Sequence, residues 1–213
     1  ALHKIIKTGS PGSTVTLSIT NLTTETGYEQ VLADYESSTA RFFAVKANGD
    51  VKAWTMPNNG NISILATQSA PIGFGSLSSC AVVGGKIYLT SSNGGIWEGQ
   101  ISGASIAWTD KTKSLKPQAM RTIRSSDNTM LMAGEDGDVF EWNGSGMYFE
   151  RISTETTKAI NDIDWFDLGY YMTADEGRLY KVSGFSDVAT PIQVSGNQST
   201  NLLAIDIQSN KYY

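Results

Sequence analysis

The chain has 213 residues and a formal net charge of −5 at pH 7, without a run of basic residues, which argues against a nucleic-acid partner. Charged residues make up only 17% of the sequence, below the roughly 25% of average soluble domains, and neutral polar residues replace them. No apolar stretch approaches the roughly 18 residues of a membrane span, so no membrane insertion is expected.

The predicted elements begin at the amino end with two strands, in the runs "LHKIIKT" and "TVTLSIT". Four groups of four strands follow, each rich in β-branched and aromatic residues, and no segment has a long helical period. The first strands of these groups are "QVLADYES", "SSCAVV", "MRTIRSS" and "NDIDWFD". The second strands are "RFFAVKA", "KIYLTSS", "TMLMAGE" and "YYMTAD", and the fourth are "NISILAT", "SIAWTDK", "MYFERIS" and "TPIQVS". The final stretch, "NLLAIDIQSNKYY", repeats the first strand and the start of the second.

A glycine-containing turn separates the second strand from the third in every group. The turn glycines are Gly49, Gly94, Gly137 and Gly177, at spacings of 45, 43 and 40 residues. Asn-Gly and Asp-Gly pairs favour two-residue hairpins, because glycine adopts the positive φ of these turns without steric cost. The third copy, "GEDGDVFEW" (134–142), contains three irregularly spaced acids that other copies lack. We therefore interpret it as a structural turn and not as a calcium-binding loop.

Four antiparallel strands repeated about every 43 residues are typical of a β-propeller blade. The predicted fold class is therefore all-β, with residues 1–213 as a single β-propeller domain. The two strands at each end complete a fifth four-stranded blade, which closes the ring by pairing the N- and C-terminal strands. Six blades are the alternative if "TNLTTETGYEQ" (20–30) contains further strand. Because Ala1 is not a methionine, we expect the domain to be the distal fragment of a longer chain.

The first strand of each propeller blade lines the central channel, and alignment through the turn glycines places acidic residues there. The alignment gives two columns of equivalent positions. One contains Asp34, Ser79, Thr122, Asp162 and Ala204, and the other contains Glu36, Ala81, Arg124, Asp164 and Asp206. The five acids in these columns are Asp34, Glu36, Asp162, Asp164 and Asp206. Like charges repel by about 4 kcal/mol at 4 Å when the effective dielectric constant is near 20. Arg124, channel water or a bound Ca²⁺ would each relieve this repulsion, and the five acids are the candidate ligands of such an ion. Calcium is the one cofactor that the pattern suggests.

Cys80 and His3 are the only residues of their types, so the sequence offers neither a Cys/His zinc site nor a Ser-His-Asp or Cys-His catalytic arrangement. Catalysis would have to rest on carboxylates, as in five-bladed glycoside hydrolases, which carry acids on their inner strands. The chain lacks the long loops between blades that wall a sugar cleft. We therefore expect no enzyme. We expect the tryptophans to belong to the core, since all but Trp165 fall on third or fourth strands, where aromatic residues pack between blades.

Three functions remain open at this point. The first is a recognition module that binds a cell-surface receptor or a glycan, with a lectin-like propeller as a variant. The second is a glycoside hydrolase that uses channel carboxylates. The third is a structural or interaction part of a larger assembly.

In its repeats "NGDVKAW", "DGDVFEW" and "EGRLYKV", its terminal "NKYY" and its length, the chain resembles the C-terminal receptor-binding domains of the spikes of lipid-containing marine bacteriophages, the corticoviruses. The resemblance implies a domain for viral attachment to a host cell, without catalysis, at the capsid vertex on the virion surface. It also implies the remainder of the spike and other capsid proteins as partners, together with calcium binding.

Overall fold

The computed structural model shows an all-β chain. It describes residues 2–8, 16–23, 25–34, 40–55, 62–112, 120–126, 129–143, 148–152, 154, 156–166, 169–183, 190–192, 200–208 and 211–212. The regular structure in these ranges consists of β-strands with short 3₁₀ turns. In the same ranges, no helix has the length and apolar character of a membrane span.

The strands are numbered β1 to β20 in chain order. The amino-terminal hairpin contains β1 (Leu2–Thr8) and β2 (Thr16–Thr23). Blade 1 contains β3 (Tyr28–Asp34), β4 (Arg41–Lys46), β5 (Val51–Thr55) and β6 (Ser63–Gln68). Blade 2 contains β7 (Leu77–Val83), β8 (Lys86–Ser91), β9 (Ile96–Ser102) and β10 (Ser105–Asp110). Blade 3 contains β11 (Met120–Ser126), β12 (Thr129–Gly134), β13 (Val139–Asn143) and β14 (Tyr148–Ile152). Blade 4 contains β15 (Ile160–Phe166), β16 (Gly169–Ala174), β17 (Arg178–Ser183) and β18 (Thr190–Ile192), and the carboxy-terminal hairpin contains β19 (Ile207–Gln208) and β20 (Lys211–Tyr212).

Each blade is an antiparallel meander in which every strand pairs with the next along the chain. The first strands of successive blades contact one another, β3 with β7, β7 with β11 and β11 with β15. This arrangement fits a β-propeller, and it confirms the predicted all-β class and the four groups of four strands. The terminal hairpins form two separate two-stranded sheets in the structure, so a joint fifth blade stays a prediction.

The hydrophobic core lies between neighbouring blades. In β12, Met130 and Met132 pack with Tyr88 of blade 2, whereas Leu131 and Ala133 pack with residues of blade 4. Successive side chains of a strand point to opposite faces of the sheet, so a strand that is covered on both faces must be apolar at successive positions. The run "TMLMAG" of β12 follows this rule, which explains why the second strands lack a polar alternation.

The glycine turns are three residues long, not two as predicted. In blade 1 the Gly49 amide donates to the Lys46 carbonyl and the Lys46 amide donates to the Asp50 carbonyl, which together enclose three residues. Gly49 has a φ of 84° and Gly137 a φ of 72°, so the positive φ expected of these glycines is confirmed. The Asn-Gly or Asp-Gly pair indicates a turn but leaves the register of the flanking strands open, and the register decides the loop length.

Every first strand contains a β-bulge near its beginning. Immediately after the bulge, the equivalent positions in blades 1 to 4 are Gln30, Ser79, Thr122 and Asp162. The predicted placement of Asp34 in this column was wrong by four residues. The connection from β3 to β4 contains six residues (35–40), whereas that from β7 to β8 contains two (84–85), and counting back from the turn glycine misses this difference. Glu36 lies outside the described residues.

Candidate functional site

In blades 1 and 4, the side chain of the residue after the bulge accepts hydrogen bonds from the next inner segment of the chain. In blade 1, the side-chain oxygen Oε1 of Gln30 accepts hydrogen bonds from the Cys80 amide at 3.1 Å and from the Cys80 thiol at 2.9 Å. Burial raises the pKa of Cys80 to about 12, which agrees with the expectation of a core thiol. In blade 4, Asp162 Oδ2 accepts from the Ile205 amide at 3.0 Å. Ile205 therefore takes the position after blade 4 that Cys80 takes after blade 1.

Asp162 is an acceptor for backbone groups in this arrangement. Its Oδ1 accepts a hydrogen bond from the Ile163 amide at 2.9 Å and lies 3.5 Å from the Thr122 hydroxyl of blade 3. A carboxylate that accepts two backbone amides is a strong local clamp, because hydrogen bonds to charged groups contribute about 1.5–3 kcal/mol each. The carboxylate of Asp162 thus connects blades 3 and 4 with segment 200–208.

Asp164 forms an ion pair with Arg124 of blade 3. Arg124 Nη2 lies 2.8 Å from Asp164 Oδ1, and the Asp164 side chain is only 7% exposed whereas that of Arg124 is 56% exposed. Of the three ways to relieve repulsion among the inner acids, neutralisation by Arg124 is the one that the structure shows at Asp164. The guanidinium keeps one side in water, which limits the desolvation cost of the pair.

Asp34 has a different partner from the other inner acids. It is buried at the end of β3, where Arg41 Nη2 lies 2.7 Å from its Oδ2 and Arg41 Nε donates to the same oxygen at 2.9 Å. The Arg41 guanidinium packs against Gly85, where an added Cβ would lie 2.7 Å from Nη2. The pair thus fastens the β3–β4 hairpin of blade 1 to the β7–β8 hairpin of blade 2.

The predicted calcium ligands are not brought together as one site in the described part of the chain. Within it, no three His, Cys, Asp or Glu side chains are grouped closely enough to hold a metal ion. Asp34, Asp162 and Asp164 have the separate partners given above, and Asp206 is exposed and has interactions of its own. Glu36 lies outside the described residues, and calcium binding stays a prediction.

The acids of the turn 134–142 also have separate partners. Glu135 Oε1 lies 3.5 Å from Arg121, and Asp138 Oδ1 accepts from Arg151 Nη2 at 2.5 Å. Two acids of one turn therefore pair with arginines on an inner strand and an outer strand. This divergence agrees with the interpretation of a structural turn.

The bulged residues lie together at one end of the inner strands. They are Glu29, Ser78, Arg121 and Asn161, and Leu203 takes the corresponding position in segment 200–208. Arg121 Nη1 donates to Asn161 Oδ1 at 2.6 Å, and Asn161 Nδ2 donates to Asp175 Oδ1 and to the Leu202 carbonyl, both at 2.9 Å. A bulge turns a side chain away from the regular pleat, and the bulges of blades 3 and 4 are joined by the bond between Arg121 and Asn161. We call this set the bulge rim.

The bulge rim was not predicted from the sequence. In each blade, the rim residue comes one position before the column of Gln30, Ser79, Thr122 and Asp162. The bulge changes the face of the sheet toward which a residue at that position points. The glycine turns lie at the same end of each blade, since the second strands end there. A signal that would have found the rim is the polar residue directly before the column in each repeat.

Glu98 is the centre of a buried polar cluster between blades 2 and 3. The Tyr88 hydroxyl donates to its Oε2 at 2.7 Å, Lys86 donates to its Oε1 at 3.0 Å, and Lys111 lies at 3.8 Å. Burial alone would raise the pKa of Glu98, but the hydrogen bonds from Tyr88 and Lys86 and the charges of the two lysines outweigh it. The pKa of Glu98 therefore lies below its usual value. Lys111 also lies over the ring of Trp142, 5.6 Å from its centre.

Glu98→Gln is expected to lower the free energy of unfolding by about 1.5–3 kcal/mol at pH 7, the contribution of charged hydrogen bonds. Because the folded pKa of Glu98 is lowered, its charge stabilises the fold above the unfolded pKa, near 4.3, and this contribution is lost as the pH falls through the folded pKa. Urea unfolding at pH 7 and pH 3 should show the two proteins converging in acid. An equal difference at both pH values would contradict the assignment.

The tryptophans pack in the core, as expected. Trp54 is 2% exposed and stacks on Phe42 at 4.9 Å, and Trp142 is 7% exposed. Trp97, Trp108 and Trp165 are partly buried against the core clusters. This burial against the core clusters favours a structural role of the tryptophans over a sugar-stacking one.

Comparisons with known proteins bear on the fold. No protein-family model and no curated protein sequence matches the chain. The structure is similar to the computationally designed Ika8 protein, with a TM-score of 0.65 and 14% identity over 99% of this chain. It is similar to YCF48 from Cyanidioschyzon merolae, with a TM-score of 0.63 and 14% identity over 92% of this chain and 68% of that one. It is also similar to the designed Ika4 protein, with a TM-score of 0.54 and 15% identity over 67% of this chain and 86% of that one.

The chain spans 64% of the length of the Ika8 protein. At identities of 14–15%, these likenesses show a β-propeller-like fold and nothing about activity.

Proposed function

We propose that the chain is a non-catalytic recognition domain, the receptor-binding domain of a viral spike, which binds a cell-surface receptor or glycan with its bulge rim. The observation that carries the proposal is the hydrogen bond between Arg121 and Asn161, which joins the polar bulges of blades 3 and 4. Arg121 is 40% exposed, so its remaining donors are accessible to a ligand. The remainder of the spike and other capsid proteins are the proposed structural partners, on the virion surface.

The proposed ring has five blades, with the terminal hairpins contributing two strands each to the fifth. The hydrogen bond from Ile205 to Asp162 supports this, because it repeats the one between Cys80 and Gln30. The face of blade 1 opposite blade 2 leaves Val31 53% exposed and Ile64 59% exposed. An isolated two-stranded hairpin is marginally stable in water, so both hairpins and this face gain from packing together.

The state of the inner carboxylates favours recognition over glycoside hydrolysis. A glycosidase needs a carboxylic acid with a raised pKa to protonate the leaving group. The carboxyl group of Asp162 accepts hydrogen bonds from two backbone amides, and that of Asp164 is paired with Arg124. The carboxyl pKa values that are shifted in the described residues, those of Glu25, Glu98 and Glu176, are all lowered.

Competition with virus adsorption tests the proposed function. The purified domain is expected to block phage adsorption to a susceptible host, and Arg121→Glu is expected to reduce the blocking at least tenfold, about 1.4 kcal/mol. Arg151→Glu is the matched control, because Arg151 is also an exposed arginine with a carboxylate partner but lies on the outer strand β14. Failure of the domain to bind any host in a panel, or turnover of chromogenic glycosides, would overturn the proposal.

Calcium bound by the channel acids is part of the same proposal. If an ion is bound, EGTA is expected to lower the melting temperature, since a ligand at 100 times its dissociation constant stabilises the folded state by about 2.7 kcal/mol. Added Ca²⁺ should restore the original midpoint, and Asp164→Asn should reduce the response. A midpoint that is unchanged by EGTA would argue against a structural ion.

A further inference from the structure

The loop between blades 1 and 2, residues 69–76, displays an isoleucine at its tip. Ile72 is 99% exposed, whereas Phe74, two residues later, is 2% exposed. In the antiparallel meander, β6 ends and β7 begins at the end of the propeller where the bulge rim and the glycine turns lie. Ile72 therefore lies at the same end as the proposed recognition surface.

The tip of this loop is a tight turn. The Phe74 amide donates a hydrogen bond to the Pro71 carbonyl at 3.1 Å, and Gly73 has a φ of 77°. This combination fits a type II turn, whose third residue needs a positive φ and is usually glycine. Ile72 is the second residue of the turn, so a defined backbone conformation presents its side chain to the solvent.

Both neighbouring blades hold the turn in place. The Phe74 ring packs against Gly49 in the glycine turn of blade 1 so closely that a Cβ at Gly49 would collide with it. On the side of blade 2, Asn93 Nδ2 donates to the Gly73 carbonyl at 2.9 Å. A contact residue on a preformed loop loses little conformational entropy on binding. The position of Ile72 is therefore suited to an anchor in an interface.

The exposed apolar side chains favour a protein partner over a glycan. In the described ranges, the exposed large hydrophobic residues are Val31, Ile64, Ile72 and Leu203. The proposed fifth blade covers Val31 and Ile64, which leaves Ile72 and Leu203 at the end of the bulge rim. Both are aliphatic, whereas sugar rings stack on aromatic side chains. Apolar contacts together with an exposed arginine such as Arg121 are typical of protein–protein interfaces.

The glycine turns at this end disfavour a lipid surface as the partner. The turns of blades 3 and 4 carry the acids Glu135, Asp136, Asp175 and Glu176. Membrane surfaces carry negative charge, and the protein segments that bind them are rich in lysine and arginine. An apolar side chain surrounded by acidic turns is therefore better matched to a pocket in a protein.

We propose that Ile72 is an anchor residue that enters an apolar pocket of a protein receptor on the host surface. The inference rests on the proposed recognition function, which it deepens by naming a protein, and not a glycan, as the partner. Burial of one isoleucine side chain raises affinity roughly tenfold to a hundredfold.

Competition with virus adsorption measures this contact. Ile72→Asp is expected to reduce the blocking by the purified domain at least tenfold, because it places a charge in the apolar pocket. Ile72→Val removes one methylene group and is expected to block within about fourfold of the unsubstituted domain. Thr109→Asp is the matched control, since it adds the same charge at an exposed position of the outer strand β10 and should leave the blocking unchanged.

Treatment of the host cells separates the classes of partner. Protease treatment of the cells is expected to abolish binding of the domain, whereas periodate oxidation of their glycans is not. Liposomes of host lipids are expected not to bind the domain. Binding that survives protease but not periodate, or binding to the liposomes, would overturn the assignment of a protein partner.

Equal melting temperatures and circular dichroism spectra would show that the variants fold. If Ile72→Asp melts earlier, the uncharged Ile72→Ser replaces it and is also expected to lose blocking. If the Ile72 variants block as well as the unsubstituted domain while Arg121→Glu does not, only the anchor is wrong. If the unsubstituted domain blocks adsorption to no host, the recognition function fails, and the anchor fails with it.

Discussion

Gly137→Ala is expected to lower the free energy of unfolding by about 3 kcal/mol and the melting temperature by about 6–12 °C. Gly137 has a φ of 72°, which costs a residue with a Cβ about 1–2 kcal/mol. The added Cβ would lie 2.2 Å from the carbonyl oxygen of Thr156, a backbone atom that moves only with its loop. That loop is held to the turn because the Thr154 hydroxyl donates to the Gly137 carbonyl at 2.7 Å. Differential scanning calorimetry measures both quantities.

Gly103→Ala separates the two contributions. Gly103 has a φ of 61°, but an added Cβ there would meet nothing within 4 Å. The expected loss is therefore the conformational cost alone, about 1–2 kcal/mol. Equal losses for the two variants would show that the contact with Thr156 adds nothing.

Asp162→Ala is expected to cost about 2–3 kcal/mol and to loosen segment 200–208 at Ile205. The substitution removes the acceptor of the Ile205 amide at 3.0 Å and of the Ile163 amide at 2.9 Å. Hydrogen exchange is the direct measurement, because the Ile205 amide should lose protection while the amides of blade 2 keep theirs. Asp162→Asn, which retains one carbonyl oxygen, should give an intermediate loss.

The equivalent change in blade 1 provides the comparison. Gln30→Ala removes the acceptor of the Cys80 amide and thiol, so faster exchange at Cys80 is expected. If segment 200–208 begins a fifth blade, the two substitutions should act alike on the strand that follows each blade. Protection of Ile205 that survives Asp162→Ala would contradict this equivalence.

The strands and turns were predictable because they follow local rules. Four-strand groups are marked by β-branched and aromatic runs, and Gly49 and Gly137 mark positions where only glycine takes a positive φ without strain. The pairing of Arg124 with an inner acid was also foreseeable, since the two positions share a column. Asp34 was misplaced because a longer connection after β3 shifts the register without changing the residue pattern.

The order of residues in the sequence gave no indication of the charge cluster that Glu25 forms with Lys46 and Lys52 on blade 1. Glu25, Lys46 and Lys52 are scattered charges in the sequence, and each by itself is an ordinary surface residue. They meet because the pleat directs residues of three paired strands to one face, and because Glu25 lies over that face just before β3. Pairing register, and not composition, brings these charges together.

Local sequence therefore specifies the repeat unit of this protein, since hydrophobic alternation and turn chemistry act over a few residues. The interaction partners of its acidic residues lie much farther away along the chain. Asp162 accepts from a residue 43 positions later, and Asp164 pairs with a residue 40 positions earlier. Such partners are chosen by the packing of one blade on the next, where burying a charge requires that a donor or an opposite charge be present.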